Sequence, residues 1–86
     1  MTDYQPVDCA VYAKYELAIL RRRPVMLGWR DDSGVTRLER VVPTDLETRE
    51  GEEFLHFEDR ARARGRVRLD RIVEWRASRG AAESPD

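Results

Sequence analysis

The chain has 86 residues, the size of one small domain and too short for two. Hydrophobic residues make up 41% of it and charged residues 38%, so we expect a globular core beneath an unusually charged surface. The net charge of −1 hides separated acidic and basic blocks, and every basic residue except Lys14 is an arginine. Length and composition therefore exclude a large enzyme scaffold.

Cysteine, histidine and apolar content exclude further classes of protein. Cys9 and His56 are the single cysteine and histidine, so the chain forms no internal disulfide and no four-ligand zinc site by itself. The first residues carry Asp3 where a secretory signal needs basic residues before an apolar stretch, and no apolar run reaches membrane length. We therefore expect a cytoplasmic protein with no metal, cofactor or membrane attachment.

The first predicted element is an amphipathic helix from Asp8 to about Leu20. Asp8 is a suitable N-cap, because its carboxylate can accept hydrogen bonds from the free amides of the first turn. Pro24 ends the helix after three consecutive arginines. One stripe of the helix is apolar and is expected to pack on a sheet; it consists of Val11, Tyr15, Ala18 and Ile19.

Alternating apolar residues then predict five short strands. The predicted strands are 25–30, 35–42, 53–59, 64–69 and 72–76. The turn residues 31–34 join the first two, and Pro43 and Thr44 are expected to end the second. Residues 77–86 offer nothing to bury, so this tail is predicted to be disordered.

Five short strands in so few residues are expected to curl into a barrel, because a flat sheet would have exposed edges and a shallow core. With the helix over one end or face, residues 1–76 would form a mainly β, Sm-like (SH3-like) small five-stranded antiparallel barrel capped by the N-terminal helix. An OB barrel is the alternative, although its helix usually lies within the strand order rather than before it.

Several strings of residues occur together in one order along residues 3–76. They are Tyr4, Gln5, Pro6, Val7, Asp8 and Cys9 with Tyr12 and Glu16, Leu17, Ala18; Thr44, Asp45, Leu46 with Arg49; Glu53, Phe54, Leu55; and Arg68, Leu69, Asp70, Arg71, Ile72. Together they resemble the Rof (YaeO) family of bacterial proteins that modulate Rho-dependent transcription termination. The opening string is fairly specific, whereas the last would be weak alone.

The resemblance implies an Sm-like barrel with an N-terminal helix, and it implies a partner. Family members bind the hexameric RNA helicase Rho and obstruct its primary RNA-binding surface, so the expected function is non-enzymatic antitermination. Carboxylates suit this role, because a surface that holds phosphates presents arginines and lysines that carboxylates can occupy. The residues expected to contact Rho are Asp3, Asp8, Glu16, Asp45 and Arg49.

The chain departs from the family pattern on the helix. Ala10, Val11 and Ala13 stand where members often carry acids, which weakens the negative face. The arginines at 21–23 add a positive end that a basic Rho surface would repel.

Two charge blocks follow the first hairpin. Residues 44–59 carry seven acids against Arg49, which favours either a solvated face or a second acidic contact patch. Arg49 would order the loop there or touch the partner directly.

The basic block at 60–71 has arginines at every second position from Arg60 to Arg68, a spacing that places side chains on one face of an extended strand. Three interpretations remain open: a charged edge hairpin, a face neutralised by the acidic strand before it, or an RNA-binding strip in an Sm-like module. The RNA-binding strip would consist of Arg62, Arg64, Arg66 and Arg68, with Gly65 turning the chain midway.

Other candidate residues favour structural roles. Cys9 lies where a helix start can activate a thiol and His56 could serve as its base, but packing is the expected role of the cysteine. Trp29 and Trp75 end strands and could stack on bases, although so small a core should claim at least one. No phosphate loop or pair of catalytic carboxylates is visible, so we expect no enzyme. The charged fourth strand favours a monomer.

Overall fold

The computed structural model describes residues 4–77, in which one helix precedes five strands. The helix α1 spans Cys9–Arg21, and the strands are β1 (Val25–Arg30), β2 (Thr36–Arg49), β3 (Glu52–Glu58), β4 (Arg64–Arg68) and β5 (Ile72–Ala77). A 3-10 turn at Leu69–Arg71 joins β4 to β5. The predicted mainly β architecture with an N-terminal helix is confirmed, and every element except β2 has bounds within one residue of those expected.

The strands form an antiparallel sheet in the order β4-β3-β2-β1-β5. β1 pairs with the first half of β2, from Val25 opposite Val41 to Arg30 opposite Thr36. β3 pairs with the second half of β2, so one long strand serves both parts of the sheet. Within residues 4–77, β4 and β5 are the edge strands and no ladder joins them. The result is a small, helix-capped, barrel-like fold in which the 3-10 turn links the two edges.

The predicted end of β2 at Pro43 and Thr44 is wrong, because the strand continues to Arg49. The register shifts between Pro43 and Asp45, which leaves Thr44 as an extra residue opposite β3. Such a β-bulge bends a strand, and it is one of the few places where a strand tolerates proline. The residues that signalled a turn therefore mark the bend between the two halves of the sheet.

The turns on either side of β3 differ from the expected ones. β2 and β3 meet in a two-residue hairpin turn in which Glu50 and Gly51 have φ of 52° and 81°, as a type I′ turn requires. β3 and β4 meet at residues 59–63, where the Asp59 amide donates to the Ala63 carbonyl at 2.9 Å. Gly65, predicted to turn the chain, instead lies inside β4 opposite Phe57.

The core lies between the sheet and the helix. Its buried apolar residues are Tyr4, Tyr15, Val25, Leu27, Val41, Leu55, Phe57, Val67 and Leu69. The apolar stripe of α1 packs against this core as predicted, with the Tyr15 ring 4.5 Å from that of Trp75. Trp29 lies 5.5 Å from Phe57, so both tryptophans are partly buried against the core.

Both ends of α1 have defined caps. Asp8 is the N-cap as predicted, and its Oδ1 accepts a hydrogen bond from the Ala10 amide at 3.0 Å. Arg22 is the C-cap in the left-handed conformation, with φ of 52°. Ahead of the helix, the Gln5 amide donates to Oδ2 of Asp70 at 3.1 Å, which ties the lead-in to the 3-10 turn.

The C-terminal boundary differs slightly from the expected one. Ala77, predicted to begin the tail, is the last residue of β5 and pairs with Val25. The rest of the predicted disordered tail lies outside the described residues. Within residues 4–77, no helix has the length and apolar character needed to cross a membrane.

Candidate functional site

Three carboxylates from three elements act electrostatically on Tyr12 of α1. Burial raises the pKa of the Tyr12 phenol, and the negative charges of Glu53, Glu16 and Asp45 raise it further. Glu16 and Asp45 are exposed, and Glu53 is half-buried. We call these three carboxylates the acidic face. It exists because α1 packs across β2, which brings a helix residue next to two strands.

The structure brings together two of the residues predicted to contact Rho, Glu16 and Asp45. Asp8 is exposed at the start of α1, where its carboxylate is engaged by the Ala10 amide. Asp45 Oδ1 accepts a hydrogen bond from the amide of Leu46 at 2.9 Å, which orients the carboxylate on β2. Asp3 lies outside the described residues.

Arg49, the remaining predicted contact, ends β2 beside the hairpin turn and is exposed. It faces Glu52 across the strand pair, and within residues 4–77 it forms no ion pair. The pKa of the Glu47 carboxyl is lowered, mainly by a hydrogen bond from His56. The positive charge of Arg49 adds a smaller contribution in the same direction. Arg49 is therefore a free cation at the end of the hairpin.

The acidic block at 44–59 is more than a solvated charge run, because several of its carboxylates are engaged. Glu47 Oε1 lies 2.7 Å from Nε2 of His56 and 3.8 Å from the Arg66 guanidinium. Glu53 accepts a hydrogen bond from the Tyr4 hydroxyl at 2.7 Å. Sequence reasoning overlooked Glu53 and Tyr12, since their role depends on packing between distant elements.

The predicted arginine strip does not form as one surface. Arg62 lies in the turn before β4 with φ of 67°, whereas Arg64, Arg66 and Arg68 lie on β4 with their side chains on one face. The turn falls before β4 rather than at Gly65, because Gly65 is needed in the strand against the Phe57 ring. The four arginines are thus divided between a turn and a strand.

Two arginines of β4 lie near acids, and one of these contacts, Arg68 with Glu52 at 3.7 Å, reaches the preceding strand. Arg66 stacks over the Phe54 ring, 4.3 Å from its centroid, and lies near Glu47. Arg68 binds Asp70 through Nε at 2.7 Å and Nη2 at 3.0 Å, and its side chain is only 14% exposed. Arg64 remains exposed.

A groove of about 450 Å³ lies beside these arginines. Its basic and aromatic lining residues are Arg30, Arg66, Arg68, Arg71, Trp29 and Phe54. Asp31, Asp32 and Glu52 also line it, and Arg71 is held there by the Asp31 carbonyl at 3.4 Å and the Asp32 carboxylate at 3.6 Å. We call this the arginine groove. Sequence reasoning missed Arg30, which enters it from the end of β1.

Within residues 4–77, no hydrogen bond joins the Cys9 thiol to the His56 imidazole. Cys9 is exposed, so its predicted packing role is wrong. His56 is held by Glu47 across the β2–β3 hairpin, in the structural role expected for it. In the described part of the chain, no group of three His, Cys, Asp or Glu side chains is placed to hold a metal ion.

Comparisons with known proteins add information about the fold. No protein-family model and no curated protein sequence matches the chain. Among solved structures, Proteasome accessory factor B/C (PafBC) of Arthrobacter aurescens is similar over 98% of this chain, with a TM-score of 0.69 and 19% sequence identity. The chain spans 14% of that PafBC chain. At this identity the similarity shows a shared fold and nothing about function.

Proposed function

We propose that this domain is a non-catalytic binding protein whose acidic face occupies the RNA-binding surface of the Rho helicase hexamer. The observation that supports this most is the packing of α1 on β2, which presents the exposed Glu16 and Asp45 on neighbouring elements, where both carboxylates and Glu53 act on the Tyr12 phenol. A surface that holds RNA phosphates presents arginine and lysine side chains, and carboxylates fixed by a folded scaffold can occupy them. The partner itself is suggested by the resemblance of the sequence to the Rof family.

The scaffold favours tight recognition because the acidic face is fixed from both sides. Tyr15 anchors α1 in the core against Trp75, so the backbone that carries the exposed Glu16 is held against the sheet. Asp45 follows the bulge at Thr44, and its hydrogen bond to Leu46 orients it. Carboxylates that are already positioned lose little conformational entropy on binding.

Inhibition would follow from occupancy alone, with no bond made or broken. The domain would compete with the transcript for the same cations, so Rho could not load on RNA and termination would fail. Binding of this kind depends on complementary charge and weakens as salt screens it.

The direct experiment is titration of the protein into the Rho hexamer of the same organism carrying a fluorescent cytidine-rich RNA. We expect RNA release, with weaker release at high salt. Glu16→Lys and Asp45→Lys should each weaken Rho binding about tenfold, because each places a cation against a basic surface.

Glu74→Lys is the matched control, since Glu74 is an exposed carboxylate on β5 and is not among the charges that act on Tyr12. Binding that resists salt, or that falls equally in all three variants, would contradict an interface at the acidic face. Absence of any binding to Rho would refute the function itself.

The arginine groove favours a second candidate function, direct binding of single-stranded RNA. Guanidinium groups suit phosphates, and the Phe54 ring beside Arg66 offers a surface on which a base could stack. The acids on the groove wall oppose this, and they are the reason we rank it second.

The split of the arginines between turn and strand provides a sharp test of RNA binding. Arg66→Ala removes a groove cation, whereas Arg62→Ala removes one from the turn outside it. If the groove binds RNA, the first change weakens binding of a labelled oligonucleotide several-fold and the second leaves it unchanged. Equal effects would indicate diffuse electrostatic attraction and reject the groove.

A further inference from the structure

The end of α1 combines exposed leucines with a run of arginines. Leu20 is 79% exposed and Leu17, three residues before it on the same helix face, is 45% exposed. The three arginines that follow, Arg21, Arg22 and Arg23, are all exposed. We call these five residues the basic corner. A large exposed apolar residue is ordinary when isolated, but two adjacent ones beside a groove indicate a contact surface.

A groove of about 520 Å³ lies next to the basic corner, between the end of α1 and the bend of β2. Its apolar walls are Ile19 and Leu20 from the helix and Val42 and Pro43 from the strand. Pro43 is fully buried and sits at the bulge, so this wall is rigid. The groove is large enough for one bulky side chain together with adjoining backbone.

The backbone at Arg22 supports a function for its side chain. Arg22 is the C-cap of α1 with φ of 52°, a left-handed conformation for which glycine is strongly preferred. A residue with a Cβ is sterically strained there, whereas glycine is not. Arg22 also lines the groove. The combination of this backbone with a position on the groove wall distinguishes Arg22 from Arg62, which has a similar φ in the turn before β4.

The charge around the groove defines the ligand. Within residues 4–77, the three arginines of the basic corner form no ion pair, and Glu58 is the one carboxylate on the groove wall. One cation in the last turn is enough to complement the helix dipole, so the local charge exceeds what α1 needs. Arg22 lines the groove and Arg21 and Arg23 flank it in the sequence, so this end of α1 is complementary to a peptide whose carboxylates flank an apolar side chain.

We propose that the basic corner is a docking site for an acidic peptide segment of a partner protein. The peptide would insert one bulky apolar side chain between Leu20 and Val42, while its carboxylates pair with the arginines. This site is separate from the acidic face and does not depend on Rho binding. A concave groove favours a peptide over a flat membrane surface, and the lack of an aromatic ring in its lining disfavours stacking of nucleic-acid bases.

The test uses fluorescence anisotropy of a fluorescein-labelled peptide in which a central leucine–phenylalanine pair is flanked by glutamates. The wild-type protein should bind it, with affinity that falls as salt rises. A peptide in which serines replace the central pair should bind at least about fivefold more weakly, because the apolar contact is lost.

Two variants remove the apolar and the cationic contact separately. Leu20→Ser and Arg22→Gly should each weaken peptide binding about fivefold, and neither threatens folding, since Leu20 is exposed and glycine suits φ at position 22. Leu38→Ser and Arg62→Gly are matched controls, an exposed leucine on β2 and a second left-handed arginine outside the groove, and should leave binding unchanged.

Three outcomes would overturn the proposal. The first is no binding of the acidic peptide by the wild-type protein. The second is a loss of peptide affinity in Leu38→Ser and Arg62→Gly as large as that in Leu20→Ser and Arg22→Gly. The third is binding of vesicles containing about 30% phosphatidylserine, or self-association of the chain, that depends on Leu20 and Arg22 when peptide binding does not.

Discussion

The Tyr4 hydroxyl donates a hydrogen bond to Oε1 of Glu53 at 2.7 Å, although the two residues are 49 positions apart. Burial, this hydrogen bond and the charge of Glu53 together raise the pKa of the Tyr4 phenol well above its usual range, so the hydroxyl keeps its proton and remains a donor. The Tyr4 ring is buried in the core, with the Arg68 guanidinium 5.7 Å from its centroid. Tyr4 therefore joins the chain ahead of α1 to β3 and β4.

Removal of that hydroxyl should destabilise the fold. Tyr4→Phe leaves the ring in place but deprives the Glu53 carboxylate of its donor, and we expect a loss of about 1 kcal/mol in the free energy of unfolding. Urea denaturation followed by tryptophan fluorescence measures it. Tyr12→Phe is the control, because within residues 4–77 the Tyr12 hydroxyl makes no hydrogen bond to the protein, and its stability should stay within about 0.5 kcal/mol of wild type.

Gly65→Ala should destabilise the β3–β4 hairpin by overpacking. A Cβ at position 65 would lie 2.7 Å from Cζ and 2.8 Å from Cε1 of the Phe57 ring, closer than atoms pack. The buried ring has to shift, at a cost of about 1–3 kcal/mol in thermal or urea unfolding. In a Phe57→Leu background, Gly65→Ala should cost less free energy of unfolding than it does in the wild type, because the ring that the new Cβ meets is no longer there. Equal losses in both backgrounds would disprove the steric explanation.

The same substitution at two adjacent arginines should have opposite effects on stability. Arg22→Gly relieves the left-handed backbone of the C-cap and should raise the free energy of unfolding by about 0.5–1 kcal/mol. Arg21→Gly places glycine inside the last turn of α1 and should lower it by about 1 kcal/mol. Circular dichroism during thermal unfolding compares the two variants. If both variants gained or both lost free energy of unfolding, the left-handed φ at position 22 would not be what determines the effect of Arg22→Gly.

Acid should weaken the β1–β2 turn through Asp31. Hydrogen bonds from Ser33 and then from Arg37 lower the pKa of this carboxyl from its usual 3.8 to about 2. A carboxyl with a lowered pKa stabilises the folded state fully above its ordinary pKa, and the effect disappears as the pH falls toward the folded value. The difference in Tm between wild type and Asp31→Asn should therefore be largest near pH 5 and shrink toward pH 2. Asp32→Asn is the control and removes one 3.6 Å contact with Arg71. Its difference in Tm from wild type should be small both near pH 5 and near pH 2.

Local patterns were enough to predict most of the fold. The Asp8 cap and the apolar stripe through Tyr15 place α1, and alternation of apolar residues places four of the five strands. The two errors at predicted turns have a common physical cause. Pro43 and Gly65 signal turns when they are considered alone, but a bulge accommodates the first and the Phe57 ring occupies the space beside the second. The bulge at Pro43 and the close packing at Gly65 both depend on residues of the partner strand β3, which a short stretch of sequence around either residue does not include.

The candidate sites were predicted less completely, because they are assembled across elements. The sequence indicated Glu16 and Asp45 separately, and the packing of α1 on β2 places them where they act on one phenol together with Glu53. The arginine periodicity indicated a single strip, yet the turn at 59–63 divides it. The spacing of residues along a chain predicts which side chains share one face of a helix or strand. A site built from several elements also depends on the angle and the register at which those elements pack, which spacing does not give.

The contacts of the lead-in also bear on how the domain folds during synthesis. Residues 4–8 leave the ribosome before the rest of this domain, but Gln5 binds Asp70, which is 65 positions later. The apolar stripe of α1 emerges before any strand exists to cover it. We therefore expect nascent chains to acquire protection from proteases in one late step, after Ala77 at the end of β5 has cleared the exit tunnel, rather than gradually from the helix onward.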